Sequence, residues 1–211
     1  MKARGTVVAL LGAESTGKTV LASALGAACI AEGRDAVVVA EYLREFCDRE
    51  QRTPRRDEQC AIAAEQTRRI EAAAARHELV IADTTALMIA VYSDQVFGDP
   101  GLYAEAEAAQ RRCAATLLTA LDLPWQADGH QRDGPQVREP VYAKVRAALR
   151  RAGVAYAVVS GAGAARLGAA QAALQRALNP PLTEPGAPRW HWVCERCGDA
   201  DCERHRLPPL R

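Results

Sequence analysis

Long apolar runs are missing from this 211-residue chain, and none approaches the roughly 20 residues a membrane-spanning helix needs. The run Thr6 to Leu11 behind Met1-Lys2-Ala3-Arg4 faintly resembles a secretion signal. It leads straight into a glycine-containing turn, however, and reads as a first strand. A charge excess of one sign is missing too: 27 Lys and Arg stand against 26 Asp and Glu, which gives no reason to expect a nucleic-acid partner. The clusters Arg52, Arg55, Arg56; Arg111, Arg112; and Arg150, Arg151 read as solvated helix faces. Aromatics supply only 5% of residues and much of the 49% apolar share is alanine, so the core is built from small and aliphatic side chains. Asparagine occurs once, at Asn179, so the Asn-Lys-x-Asp motif that reads guanine is excluded. Four of seven cysteines, Cys29, Cys47, Cys60 and Cys113, are scattered through predicted elements as small buried hydrophobes. An odd count points to a reducing cytoplasm rather than a disulfide framework. The length suits one domain with a sizeable core and a small appendage.

What is present is centred on Gly12-Ala13-Glu14-Ser15-Thr16-Gly17-Lys18-Thr19, which follows the apolar run and precedes a helical pattern through Leu21, Leu25, Ala28 and Cys29. This is Gly-x4-Gly-Lys-Ser/Thr between a strand and a helix, the context a phosphate loop requires. Glycines permit tight turns whose successive N–H groups converge on phosphate oxygens, and the helix N-terminus adds its dipole. Gly12, Glu14, Ser15, Thr16 and Gly17 are therefore candidate ATP-binding residues. Lys18 is placed to reach the β- and γ-phosphates, and the Thr19 hydroxyl to ligate Mg²⁺.

The rest of the chain alternates short apolar runs with helical patterns, which predicts an α/β fold of the P-loop NTPase/kinase type, a mainly parallel five-stranded sheet with helices on both faces. The first helix is expected to end at Gly33, and strands at Ala36 to Ala40, Leu79 to Ala82, Thr116 to Leu121 and Val154 to Ser160. Helices are expected from Thr53-Pro54 to Arg76, over Ala86 to Val91, around Leu102 to Arg112, over Val141 to Arg151 with a Gly153 cap, and over Ala164 to Leu178. Glu41-Tyr42-Leu43-Arg44-Glu45 reads as polar residues delivered by the tip of the second strand. Asp122 to Pro140 is long and polar enough to read as a lid. Four prolines between Pro180 and Pro188 divide a 1–179 kinase domain from a 190–211 tail, with 180–189 as linker.

The size fits a small kinase better than a large mechanical ATPase, which would want more chain and an arginine from a neighbouring subunit. Asp83, an acid after four apolar residues, is placed either to hold a Mg²⁺-bound water or to take a proton from an attacking hydroxyl; capping the next helix is the alternative. Glu41 is the rival general base, or else a surface acid. On the lid, Arg132 and Arg138 are candidates to stabilise charge on the transferring phosphoryl, while Trp125 covers a flat ligand or packs on a helix.

The phosphate loop, Glu41-Tyr42-Leu43-Arg44-Glu45-Phe46, Asp83-Thr84 and Pro124-Trp125-x-Ala127-Asp128-Gly129-x-x-Arg132 together resemble the ribosylnicotinamide (nicotinamide riboside) kinase domain of NadR-type NAD-salvage proteins, an AAA-like P-loop ATPase/kinase family. The resemblance spans about residues 5 to 178. It implies ATP-dependent phosphorylation of the ribose 5′-hydroxyl of a nicotinamide nucleoside. Lys18 and Thr19 would then handle ATP–Mg²⁺, Glu41 and Asp83 would flank the acceptor, and Tyr42, Arg44, Trp125 and Asp128 would meet the substrate. Arg132 and Arg138 would close over the phosphates, and adenine would lie by Ser160 to Gly163, Gly161 included. NadR-type proteins can carry an adenylyltransferase domain with a His-x-Gly-His signature and a DNA-binding helix-turn-helix. This sequence shows neither, so no regulatory role is carried over, and its His130-Gln131 departs from the family's lid. A kinase of another nucleoside or small alcohol, and an ATP-binding regulatory module, are the alternatives.

The tail carries Cys194-x2-Cys197 and, after four intervening residues, Cys202-x2-His205, three thiolates and an imidazole at the spacing of a structural tetrahedral Zn²⁺ site. His191 is a substitute ligand, Trp190 and Trp192 could dock the module on the core, and a metal-free tail is the alternative.

Overall fold

The computed structural model describes residues 4–126 and 134–179. Five strands, β1 (Thr6–Leu11), β2 (Ala36–Val39), β3 (Leu79–Asp83), β4 (Ala115–Thr119) and β5 (Ala157–Val159), form one sheet in the order β2-β3-β1-β4-β5. Every pairing is parallel. β1 is central, and its register sets Leu10 beside Asp83 and Leu11 beside Leu118, so three strand tips converge next to the glycine turn. β1 is apolar along most of its length because both faces are covered. Val8 and Leu10 enter one core with Leu21, Leu25, Ile81 and Leu117, while Val7 and Leu11 enter clusters on the other face.

Helices α1 (Lys18–Ala31) and α7 (Gly163–Leu178) pack on the first of these faces. The other face carries α3 (Gln59–Ala74), α4 (Ala86–Phe97) and α6 (Arg138–Ala152), with α2 (Tyr42–Glu50) and α5 (Tyr103–Gln110) alongside. α4 is almost wholly buried from Ala86 to Val91, which is why its sequence shows a continuous apolar run rather than a stripe.

Several boundaries differ from expectation: α3 begins only at Gln59, α4 runs on to Phe97, β4 ends at Thr119 and β5 is confined to Ala157–Val159, and two further differences bear on the site. Tyr42–Glu50 is a helix, not the loop of a strand tip: Leu43, Phe46 and Cys47 recur at helical spacing, and Phe46 and Cys47 are buried on its inner face. The expected lid is shorter at its far end, because Pro135–Val137 forms a 3₁₀ turn and α6 begins at Arg138. Pro140 falls in the first turn of α6, where its missing N–H has no helical partner to lose. The expected caps at Gly33 (φ 81) and Gly153 (φ 64) are left-handed, as helix ends commonly are. The linker, the cysteine tail, Asp128, His130, Gln131 and Arg132 lie outside the described residues.

Candidate nucleotide and acceptor site

The turn between β1 and α1 is held open by glycine and by hydroxyls. Gly12 (φ 150) passes so close to β4 that a Cβ there would lie 2.0 Å from Thr119 Oγ1, and Gly17 takes φ 73 as the last residue before α1. Thr119 Oγ1 lies 2.7 Å from Thr16 Oγ1 and 3.1 Å from the Leu11 carbonyl, and Thr16 donates to the Ala13 carbonyl at 2.7 Å. Lys18 Nζ donates to the same Ala13 carbonyl at 2.9 Å. In this conformation the turn uses its own carbonyl as the partner for the lysine.

Behind the turn sits a residue the sequence did not single out. Arg166, in the first turn of α7 and only 4% exposed, donates to the Thr16 carbonyl at 2.7 Å, the Gly161 carbonyl at 2.8 Å and Asp122 Oδ1 at 2.9 Å. Burial would raise the Asp122 carboxyl, but the Gly161 N–H and the Arg166 guanidinium more than offset it and hold the group below the ordinary aspartate value. One guanidinium thus fastens the phosphate loop to the turns after β4 and β5. Its only sequence signal is an arginine on the inward side of an alanine-rich helix.

A second unforeseen residue organises the tips of β2 and β3. Gln66 is fully buried, accepts from Tyr42 N at 2.7 Å, and donates to the Ala40 and Thr84 carbonyls at 3.3 Å each. It stands in an otherwise apolar helical row with Ile62 and Ile70, the signal that could have identified it. This staple sets the start of α2 against β3. Thr84 itself is held at φ 80, an outlier for a β-branched residue, with its buried hydroxyl unpartnered.

Two cavities open around this frame. The first, about 570 Å³, is bounded by Ser15 to Leu21 on one side and by Leu123, Gln126, Ala162 and Gly163 on the other. Ser15 Oγ accepts from Gln126 N at 2.7 Å, so the start of the expected lid rests on the phosphate loop. The second, about 380 Å³, has a buried floor of Glu14, Cys47, Gln59, Thr84 and Met88 and an exposed rim that includes Arg55, Arg56 and Val96. Both volumes fall in the usual range for small-molecule sites, roughly 300–1,000 Å³. Among the described residues, Lys18 and Arg44 alone line both cavities.

The expected site residues separate accordingly. Ser15, Thr16, Gly17, Lys18 and Thr19 border the first cavity, and Glu14, Lys18, Glu41 and Arg44 the second. Gly12 forms the back of the loop, and Gly161 lies behind the first cavity on Asp122 rather than lining it. Asp83 ends β3 at 2% exposure beside Leu10, and one of its carboxylate oxygens is buried with no hydrogen-bond partner. A buried carboxylate oxygen in that state fits a cation, so Asp83 and the Thr19 hydroxyl are suited to hold Mg²⁺.

Three expected contacts are placed elsewhere. Tyr42 lies outside both cavity walls with its ring 4.3 Å beneath Arg69 Cζ, and the aromatics that line the second cavity are Tyr92 and Phe97. Trp125 is half-buried and lines neither cavity, its indole nitrogen buried without a partner. Arg138 is spent on the fold, its Nη2 donating to the Leu123 carbonyl at 2.9 Å. Thr85, not Asp83, caps α4 through a bond from Leu87 N, which leaves the Asp83 carboxylate available. Among the described residues no cluster of three or more His, Cys, Asp or Glu is grouped to hold a metal by itself, and no helix is long and apolar enough to cross a membrane.

The sequence model of the AAA domain family matches residues 7–166, which takes in every described element of both cavities except the remainder of α7. The chain belongs to the AAA domain family. No curated protein matches it in sequence. Among solved structures, this AAA domain is similar to the NadR protein in complex with NR (TM-score 0.68, 18% identity, 85% of this chain and 52% of that one). It is likewise similar to NadR in complex with NAD and AMP-PNP (TM-score 0.64, 18% identity, 87% and 52%). The AAA domain thus spans about half the length of those chains, and the likeness at this identity is one of fold.

Proposed function

We propose that the protein is an ATP-dependent phosphotransferase that phosphorylates the ribose 5′-hydroxyl of nicotinamide riboside. The observation that carries this reading is the pair of adjoining cavities that, among the described residues, share Lys18 and Arg44 as lining residues. A nucleotide-only sensor needs the first cavity; a second one, floored by Glu14 and bordered by Glu41, suits an acceptor alcohol. In this reading the phosphate loop cradles ATP, with adenine between Leu123 and Ala162-Gly163. Mg²⁺, held by Thr19 and through water by Asp83, would neutralise charge on the β- and γ-phosphates. Glu41 borders the acceptor cavity and Asp83 does not, which supports Glu41 as the base. The NadR structures support the choice of acceptor, since they are described as complexes with NR and with AMP-PNP.

The test is incubation with ATP–Mg²⁺ and a panel of nucleosides, with ADP and the phosphorylated product followed by mass. Turnover of nicotinamide riboside that disappears in Lys18→Ala is the expected result. Turnover of another nucleoside or small alcohol would transfer the reading to that acceptor, and ATP binding without turnover would favour a regulatory module. We also propose that Cys194, Cys197, Cys202 and His205 hold one structural Zn²⁺, on the strength of their spacing. Stoichiometric zinc in the purified protein, lost in Cys194→Ser, is expected; metal-free wild-type protein would contradict it.

A further inference from the structure

We propose that the second cavity prefers a pyridine nucleoside whose ring carries a carboxylate, and that Arg55 is the residue that selects it. Resting on the phosphotransfer reading above, this narrows the acceptor: nicotinate riboside, in which a carboxylate replaces the amide, is used better than nicotinamide riboside. The cavity has two chemically distinct ends. One end lies at the phosphate loop and is lined by Glu14, Lys18 and Glu41. From the Thr84 floor beside it α4 runs outward, and Met88, Tyr92 and Val96, four residues apart on one helix face, line the wall over about 12 Å of rise. A nucleoside fits that span with its 5′-hydroxyl at the polar end and its planar base against Tyr92 and Phe97. The far end is bounded by residues 53–56, fastened to the loop after α4 where Arg56 Nε donates to Asp99 Oδ2 at 2.9 Å.

Among the described residues, the cations that line this cavity are Lys18, Arg44, Arg55 and Arg56. Lys18 belongs to the phosphate loop, Arg44 stands at the junction and pairs with Glu41 at 3.1 Å, and Arg56 is bound to Asp99. Arg55 differs. Its acidic neighbour is Glu58, whose carboxylate already takes the two terminal nitrogens of Arg52 at 2.7 and 2.6 Å and the backbone N–H of Arg55 at 2.7 Å. The Arg55 guanidinium is left with an ion pair of 3.9 Å, longer than a hydrogen bond. Its backbone is nevertheless anchored, by that N–H and by a carbonyl that accepts from Glu58 N at 3.2 Å. A fixed arginine whose donors are not saturated by its own acid, placed at the aromatic end, suits a ligand carboxylate. The pyridinium ring of either nucleoside is positive, so Arg55 and Arg56 oppose it. A ring carboxylate cancels that charge and can accept two N–H bonds from one guanidinium.

The experiment measures kcat and KM for both nucleosides, at low and high salt, in wild type, Arg55→Ala, Arg55→Lys and Arg55→Glu. One charge-assisted contact at an open mouth is expected to favour nicotinate riboside about tenfold in kcat/KM, through KM rather than kcat. Arg55→Ala should level the two nucleosides by raising KM for nicotinate riboside, and Arg55→Lys should keep part of the preference. Arg55→Glu should turn it toward nicotinamide riboside. The wild-type preference should shrink as salt rises, because an exposed pair is screened. Equal or better use of nicotinamide riboside by wild type, or a nicotinate preference that survives in Arg55→Ala, would overturn the assignment and leave the proposed function standing. Phosphorylation of neither nucleoside would refute the proposed function, and this assignment with it. Melting temperatures show whether each variant is folded, and the reversal in Arg55→Glu decides the matter if the alanine variant is not.

Discussion

Gly12 shows how much of the nucleotide turn depends on a missing side chain. Its φ of 150 and the 2.0 Å separation between a hypothetical Cβ and Thr119 Oγ1 leave no room for alanine without moving buried atoms of β4. Gly12→Ala should cost about 2 kcal/mol of stability, the usual scale of overpacking, and weaken ATP-analogue binding, both read by melting with and without AMP-PNP. An unchanged melting temperature would contradict the close approach. The glycine, lysine and threonine of the loop were legible in the sequence because their spacing is a chemical requirement. Arg166 was not, because nothing local distinguishes an arginine that points inward from one that points to water; only the packing of α7 beside β5 decides it.

At the scale of elements, two polar staples place the site. Gln66→Leu keeps the volume of the α3 row but leaves Tyr42 N and the Ala40 and Thr84 carbonyls without their partner. A loss of about 3 kcal/mol is expected, and because α2 carries Arg44 and Glu41 immediately precedes it the variant should also lower kcat. Chemical denaturation and steady-state kinetics read the two effects, and wild-type stability would contradict the staple. The Asp122–Arg166 clamp gives a pH signature. Its carboxyl lies below the ordinary value of 3.8, so its contribution is present above that value and is lost as pH falls through the folded one. Asp122→Asn should therefore be less stable than wild type at neutral pH, with the difference shrinking as pH drops below 3.8. A difference independent of pH would mean that the charge of Asp122 plays no part. The element boundaries explain what sequence reading missed here. Glu41 to Glu45 was read as a strand tip because its polar residues follow β2, while the weaker period of Leu43, Phe46 and Cys47 already called for a helix.

Over the whole molecule, the strand order turns a sequence of motifs into a site. β1 at the centre puts the glycine turn between the tips of β3 and β4, so Asp83 and Thr119 flank it although they are separated by α4 and α5. The α/β class and the number of strands were legible from alternation of apolar runs and helical patterns; the order was not, since alternation does not encode which strands pair. The second cavity was half legible: Glu41 and Arg44 line it, whereas Tyr42 turns to Arg69 and its place is taken by Tyr92 and Phe97 of α4, which lie beyond the helix expected over Ala86 to Val91. Among the described residues Lys18 and Arg44 stand at the junction of the two cavities, where the proposed transfer from ATP to an alcohol would take place. The most direct measurement is mass analysis of the products after mixing the protein with ATP–Mg²⁺ and nicotinamide riboside. The account predicts ADP and riboside monophosphate in equal amounts, abolished in Lys18→Ala; ADP formed with the riboside recovered unmodified would contradict it.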